Sequence, residues 1–145
     1  MKKIIAIFAI LFATLSVSGC APEVTNELPK TGIIIENAIV TVGETEARVY
    51  ATITSRANGT VTLTGGTTDV AGTVKVMKGG GSSEKLLKDG VDIHVGQELI
   101  LDEALTHLTL TKLTKPILFG DKISFTFEFE GAEPQTIELT AKREF

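Results

Sequence analysis

This sequence is almost without cysteine. The single one, Cys20, lies near the N-terminus and has no second thiol with which to form a disulfide. An oxidising compartment would permit disulfides, but this chain has none to make. Thiol redox chemistry and a thiolate metal site inside the fold are excluded with them. A blue-copper electron carrier needs a thiolate beside two imidazoles, so it is excluded too. Tryptophan is absent, tyrosine occurs once, and methionine and histidine occur twice each. A core must therefore be built from aliphatic residues and phenylalanine, of which five lie beyond residue 19. Basic residues are also short, with 14 Lys and Arg against 18 Asp and Glu. An anionic domain lacks the positive surface that drives electrostatic nucleic-acid binding. After residue 19 no apolar run is long enough to span a membrane.

The first nineteen residues have the form of an export signal. Lys2 and Lys3 make a short positive segment, and Ile4 to Val17 make an apolar stretch too short to cross a bilayer comfortably. The stretch ends in Val17-Ser18-Gly19-Cys20, an aliphatic residue and two small ones before cysteine. That order is a bacterial lipobox. Small side chains open the bond before Cys20 to a signal peptidase, and the thiol takes up a diacylglyceryl group. Cleavage there leaves 12 basic residues against 18 acidic ones, a formal charge near −6. More than one acyl chain makes a stable anchor. The expected location is the extracytoplasmic side of a cell membrane. Residues 20–31 then read as a lipidated tether, polar and holding two of the four prolines. Residues 32–145 are left for one domain.

From Gly32 onward the apolar pattern has a period of two. Ala47, Val49, Ala51 and Ile53 alternate with polar residues or tyrosine. Val61 and Leu63, Val74 and Val76, Ile123 to Phe129, and Ile137 to Ala141 repeat the pattern. Each such strand has one dry and one wet face. Turns are expected at Asn58-Gly59, Gly65-Gly66, Asp89-Gly90, Gly120-Asp121 and Gly131. Ser83 to Lys88 has the makings of one helical turn, and the preceding glycines read as a hairpin tip. Many short strands with frequent turns predict an all-β sandwich or barrel. The strand carrying Phe125, Phe127 and Phe129 should be a main source of its stability, at roughly 1.5–3 kcal/mol for each buried ring.

The C-terminal half resembles a known family. "AGTVKVM", then "HLTLTKLTKPILFGDKISFTFEFEG" and "TIELTAK", are similar to the PCu(A)C periplasmic copper chaperones. His107-Leu108-Thr109-Leu110, Leu113-Thr114-Lys115-Pro116-Ile117, Gly120-Asp121 and Phe125 to Gly131 follow that family's order of elements. "ARVYATITSRANGTVTLTGGTTDVAG" resembles its earlier strands, so the likeness covers roughly Ile33 to Lys142. It implies a cupredoxin-like Greek-key β-sandwich. It also implies that the protein binds Cu(I) outside the cytoplasmic membrane and passes it to a copper enzyme such as cytochrome oxidase. Fold alone does not carry that activity.

The family site uses two His and two Met, donors that suit a soft monovalent ion. On this resemblance His107 matches the second His, and Thr109 stands where the second Met should be. Met77 stands where the first His should be. The other Met falls near Lys85, Leu86 or Leu87, none of them a soft donor. Met77 and His107 are therefore the candidate metal ligands. His94 is a third group to consider, expected to point outward beside Asp92. The bland reading makes His107 a half-exposed strand residue hydrogen-bonded to a neighbour, with Met77 on a polar face packed under the Gly79–Ser83 loop.

Other chemistries find little support. "GGGSSEK" lacks the spacing and setting of a phosphate-binding loop. Asp89, Asp92, Asp102 and Glu103 match no calcium loop. Asn58-Gly59-Thr60 is read as a hairpin turn rather than a glycosylation site. An enzyme is not expected. Two readings stand: a lipid-anchored copper chaperone with a reduced site, and a metal-free lipoprotein using the same sandwich as a protein- or ligand-binding module.

Overall fold

The computed structural model describes residues 32–143. The expected signal segment and tether lie outside them. Alternation builds ten strands: β1 (Ile33–Val42), β2 (Ala47–Ser55), β3 (Val61–Thr68), β4 (Ala71–Lys78), β5 (Lys85–Leu86), β6 (Val91–Ile93), β7 (Glu98–Leu101), β8 (Thr106–Leu113), β9 (Lys122–Glu130) and β10 (Gln135–Arg143). They follow one another across a single curled sheet in the order β5-β4-β8-β7-β2-β1-β10-β9-β3-β6, with β8 also paired to β2. Most neighbours are antiparallel; β1 runs parallel to β10, joining the two halves of the sandwich. The expected all-β architecture is present. No α-helix occurs among the described residues, and none of their segments is a helix long and apolar enough to cross a membrane.

The dry faces are the ones the alternation marks. Ala47, Val49, Ala51, Ile53, Val61, Leu63, Val76, Leu139 and Ala141 are buried in one cluster. Phe125 and Phe127 are fully buried there, edge to face with centroids 4.8 Å apart. Phe129 is only half-buried, near the rim.

Two local expectations are corrected. Gly65 and Gly66 are not a turn but lie inside β3, paired with Glu128 and Phe127 beyond a bulge at Leu63. A Cβ on Gly66 would run into the ring of Phe125, so the glycine makes room for the core aromatic. Ser83 to Lys88 does not form a helical turn. A 3-10 turn covers Gly81–Ser83, and Lys85–Leu86 form β5 against Met77 and Lys78.

Lys112, in β8, has φ 54°. This left-handed conformation strains a residue with a Cβ by about 1–2 kcal/mol. Lys112→Gly relieves that strain but frees the unfolded chain. A net gain of about 0.5–1 kcal/mol is expected in urea unfolding. A loss of stability would show that the packing of the lysine stem outweighs the backbone strain.

Candidate functional site

The outer face of β1, β2, β8 and β4 was expected to be wet, yet it is largely covered. Thr106 to Leu110 are buried on both faces of β8. His107 is therefore not half-exposed but fully buried, and Met77 is half-buried. The cover comes from the β4–β5 connection and from β2. Glu84, just after the 3-10 turn, places Oε1 2.7 Å from His107 Nε2. Arg48 places Nη2 3.5 Å from the same Glu84 oxygen and 3.3 Å from Glu46 Oε1. Arg48 Nη1 is 3.9 Å from Glu103 Oε1.

Register places the other members. Met77 lies directly opposite His107 across β4 and β8, and Leu86 of β5 lies opposite Met77. Tyr50 of β2 meets the His107 ring edge-on, with centroids 6.4 Å apart. One step along, Thr41, Arg48, Thr109 and Lys75 form a second row across β1, β2, β8 and β4. Met77 and His107, the two candidate ligands, are thus cross-strand neighbours. His94 lies elsewhere: it follows β6 and shares a 3.0 Å hydrogen bond with Thr60 Oγ1 on the exposed β3–β6 edge. Among the described residues no group of three or more His, Cys, Asp or Glu side chains could hold a metal ion.

Buried polar atoms without hydrogen-bond partners concentrate here. Among the described residues they are Thr41 Oγ1, Tyr50 Oη, His107 Nδ1 and Thr109 Oγ1, all within these two rows. Each such atom costs about 1–3 kcal/mol unless something fills its place. Four of them on one patch call for an explanation, and a bound ion or water is one. Burial works against the Arg48 charge, but the Tyr50 hydroxyl, Glu84 and Glu46 outweigh it and raise the guanidinium pKa. The Tyr50 hydroxyl thus lies close enough to Arg48 to favour its charge.

The His107–Glu84 contact decides what the ring offers. An ionised carboxylate only accepts, so facing one Nε2 is the donor, and in the neutral form of such a ring the lone pair lies at Nδ1. A carboxylate on the far nitrogen is the usual outer partner of a metal-binding imidazole. Sequence reasoning did not find Glu84 or Arg48, because neither shares a motif with His107. Glu84→Ala is expected to change the 15N shifts of the metal-free ring, because Nε2 loses its carboxylate partner. Unchanged shifts would show that Glu84 does not hold the ring.

The curled two-layer sheet, with a candidate ligand pair on its outer face, has the form of a cupredoxin-like domain. Solved structures of that type superpose on it. The copper-bound PCuAC domain from PmoF2 matches with a TM-score of 0.68 at 19% identity, over 81% of this chain and 97% of that one. The apo PCuAC domain from PmoF1 gives 0.69 at 17% identity, over 81% and 98%. Cu(I)-bound DR1885 from Deinococcus radiodurans gives 0.60 at 22% identity, over 81% of each. At these identities the likeness shows the fold. No curated protein matches the chain. A family model described as lipoprotein LpqE-like matches residues 33–141. The chain belongs to this LpqE-like family.

Proposed function

We propose that this protein is a lipid-anchored, extracytoplasmic lipoprotein of the copper-chaperone type that binds Cu(I) through two donors, Nδ1 of His107 and the thioether of Met77. One observation carries the reading: His107 Nδ1 is buried without a partner, on a strand whose cross-strand neighbour at that position is Met77. Imidazole and thioether suit Cu(I), which accepts low coordination. The fold of copper-bound PCuAC domains supports the same reading. Two donors bind less firmly than four, which favours release to a copper-enzyme partner. Cys20 is the anchor, consistent with a lipoprotein family. The protein is a carrier, not an enzyme.

The rival reading is a metal-free protein- or ligand-binding module. It is favoured by Thr109, which stands opposite Arg48 where a second thioether is wanted. Competition for Cu(I) against a calibrated chelator decides between them. The mature chain should carry Cys20→Ser, so that the free thiol does not compete. One Cu(I) per chain is expected, held more weakly than by a four-donor site. No Cu(I) retained would leave the metal-free module.

A further inference from the structure

The turn between β8 and β9 holds the two most exposed large apolar side chains of the described residues, Leu118 at 65% and Phe119 at 70%. They are adjacent, and their exposure is built in. The Leu118 N–H donates to Asp121 Oδ2 at 2.8 Å, and the Asp121 N–H donates to the Leu118 carbonyl at 3.0 Å. The Gly120 N–H donates to the Ala141 carbonyl at 2.9 Å, and the Ala141 N–H returns to the Asp121 carbonyl at 2.8 Å. Ile117, one residue earlier, is buried. The turn is thus pinned to β10 with two apolar side chains facing water.

A partner protein is a poor fit for this feature. A standard interface takes about 800 Å² from each side, far more than two side chains at a convex tip supply. A lipid surface accepts a small wedge. Exposed Lys115 and Lys122 flank the tip, paired with Asp69 at 3.4 Å and Glu138 at 2.8 Å. Their long stems can lie along apolar surface while the ammonium groups stay wet.

The chain supplies that surface itself, if Cys20 carries lipid as proposed above; the inference rests on that reading. Ile33 opens β1 at one end of the sandwich, while Val42 closes it opposite Arg143, two residues beyond the Ala141 that holds the turn. The tip and the tether's entry are therefore separated by about the length of β1, roughly 33 Å for ten residues. The twelve residues 20–31 span at most about 40 Å. The tether's reach exceeds the strand, so the far end can meet the same bilayer. Tethering also raises the local lipid concentration seen by a weak contact into the millimolar range or above. We propose that Leu118 and Phe119 form a membrane-contacting tip that sets how the domain lies on the bilayer to which Cys20 ties it.

The absence of tryptophan and the single cysteine give a clean test. The mature chain with Phe119→Trp has one indole, and Cys20 couples it to a maleimide lipid in phosphatidylcholine vesicles. On coupling, the emission should shift to the blue by about 10 nm and lose about half its intensity to brominated lipid, as for an indole in the membrane interface. Adding Leu118→Asp should abolish both changes. Val95→Trp is the comparison. Val95 is 56% exposed at the other end, in the turn held to Ser55, which pairs with Ile33. The emission of Val95→Trp should stay that of the uncoupled protein. An unshifted indole in Phe119→Trp, or equally strong quenching in Val95→Trp, overturns the tip. The mass of the native chain separates this from the anchor. An unacylated Cys20 overturns both, whereas an acylated chain with no shift in Phe119→Trp overturns the tip alone.

Discussion

His107→Ala is expected to lower the Cu(I) affinity of the mature Cys20→Ser chain by at least about a hundredfold, near 2.7 kcal/mol. The imidazole is one of only two proposed donors, and Thr109 beside it is too hard to replace it. The ring is fully buried, so its removal also leaves a cavity and strands Glu84 with Arg48. Circular dichroism must therefore show the variant folded. Met77→Leu separates ligand loss from damage to the fold. It keeps side-chain volume and should cost under about 1.5 kcal/mol of stability. It removes the thioether, and at least a tenfold loss of affinity is expected, about 1.4 kcal/mol. Wild-type affinity in Met77→Leu would remove sulfur from the site. Wild-type affinity in a folded His107→Ala would end the two-donor proposal.

Phe125→Ala should destabilise the domain by about 3–5 kcal/mol, measured by urea unfolding. Phe125 is fully buried, packs edge to face on Phe127, and lies over Gly66 of the neighbouring strand. That glycine has no side chain to move into the space, so the cavity cannot collapse from its side. The loss is a large part of the 5–15 kcal/mol that holds a typical domain. A cost below about 1 kcal/mol would mean that the Phe125 ring does little for the core, contrary to the large transfer and cavity terms expected for a buried aromatic.

Much of the fold was legible because a strand writes its two faces into alternate residues. Ala47 to Ile53 and Ile123 to Phe127 are dry where the pattern says so. The glycine pair at 65–66 misled for a physical reason. Glycine marks a turn when the backbone needs a positive φ, but it also marks a place where another side chain needs the space. Gly65 has φ 154°, and Gly66 yields to Phe125. Sequence spacing cannot tell these uses apart. The candidate site was half legible. Met77 and His107 were identified through the family resemblance, and antiparallel register sets them face to face.

The sequence by itself determined the strand pattern, the phenylalanine-centred core, the lack of any thiol chemistry inside the domain, and the pair of residues worth testing for metal. The first three follow from side-chain identity and the period of a single strand, and the pair follows from the family resemblance. Only the tertiary structure decided that the outer face of β8 is covered, that Glu84 fixes the His107 ring from 23 positions away, and that Arg48 closes over both. Whether a face is wet depends on what the rest of the chain lays across it. That is a property of long-range packing, which no local spacing records.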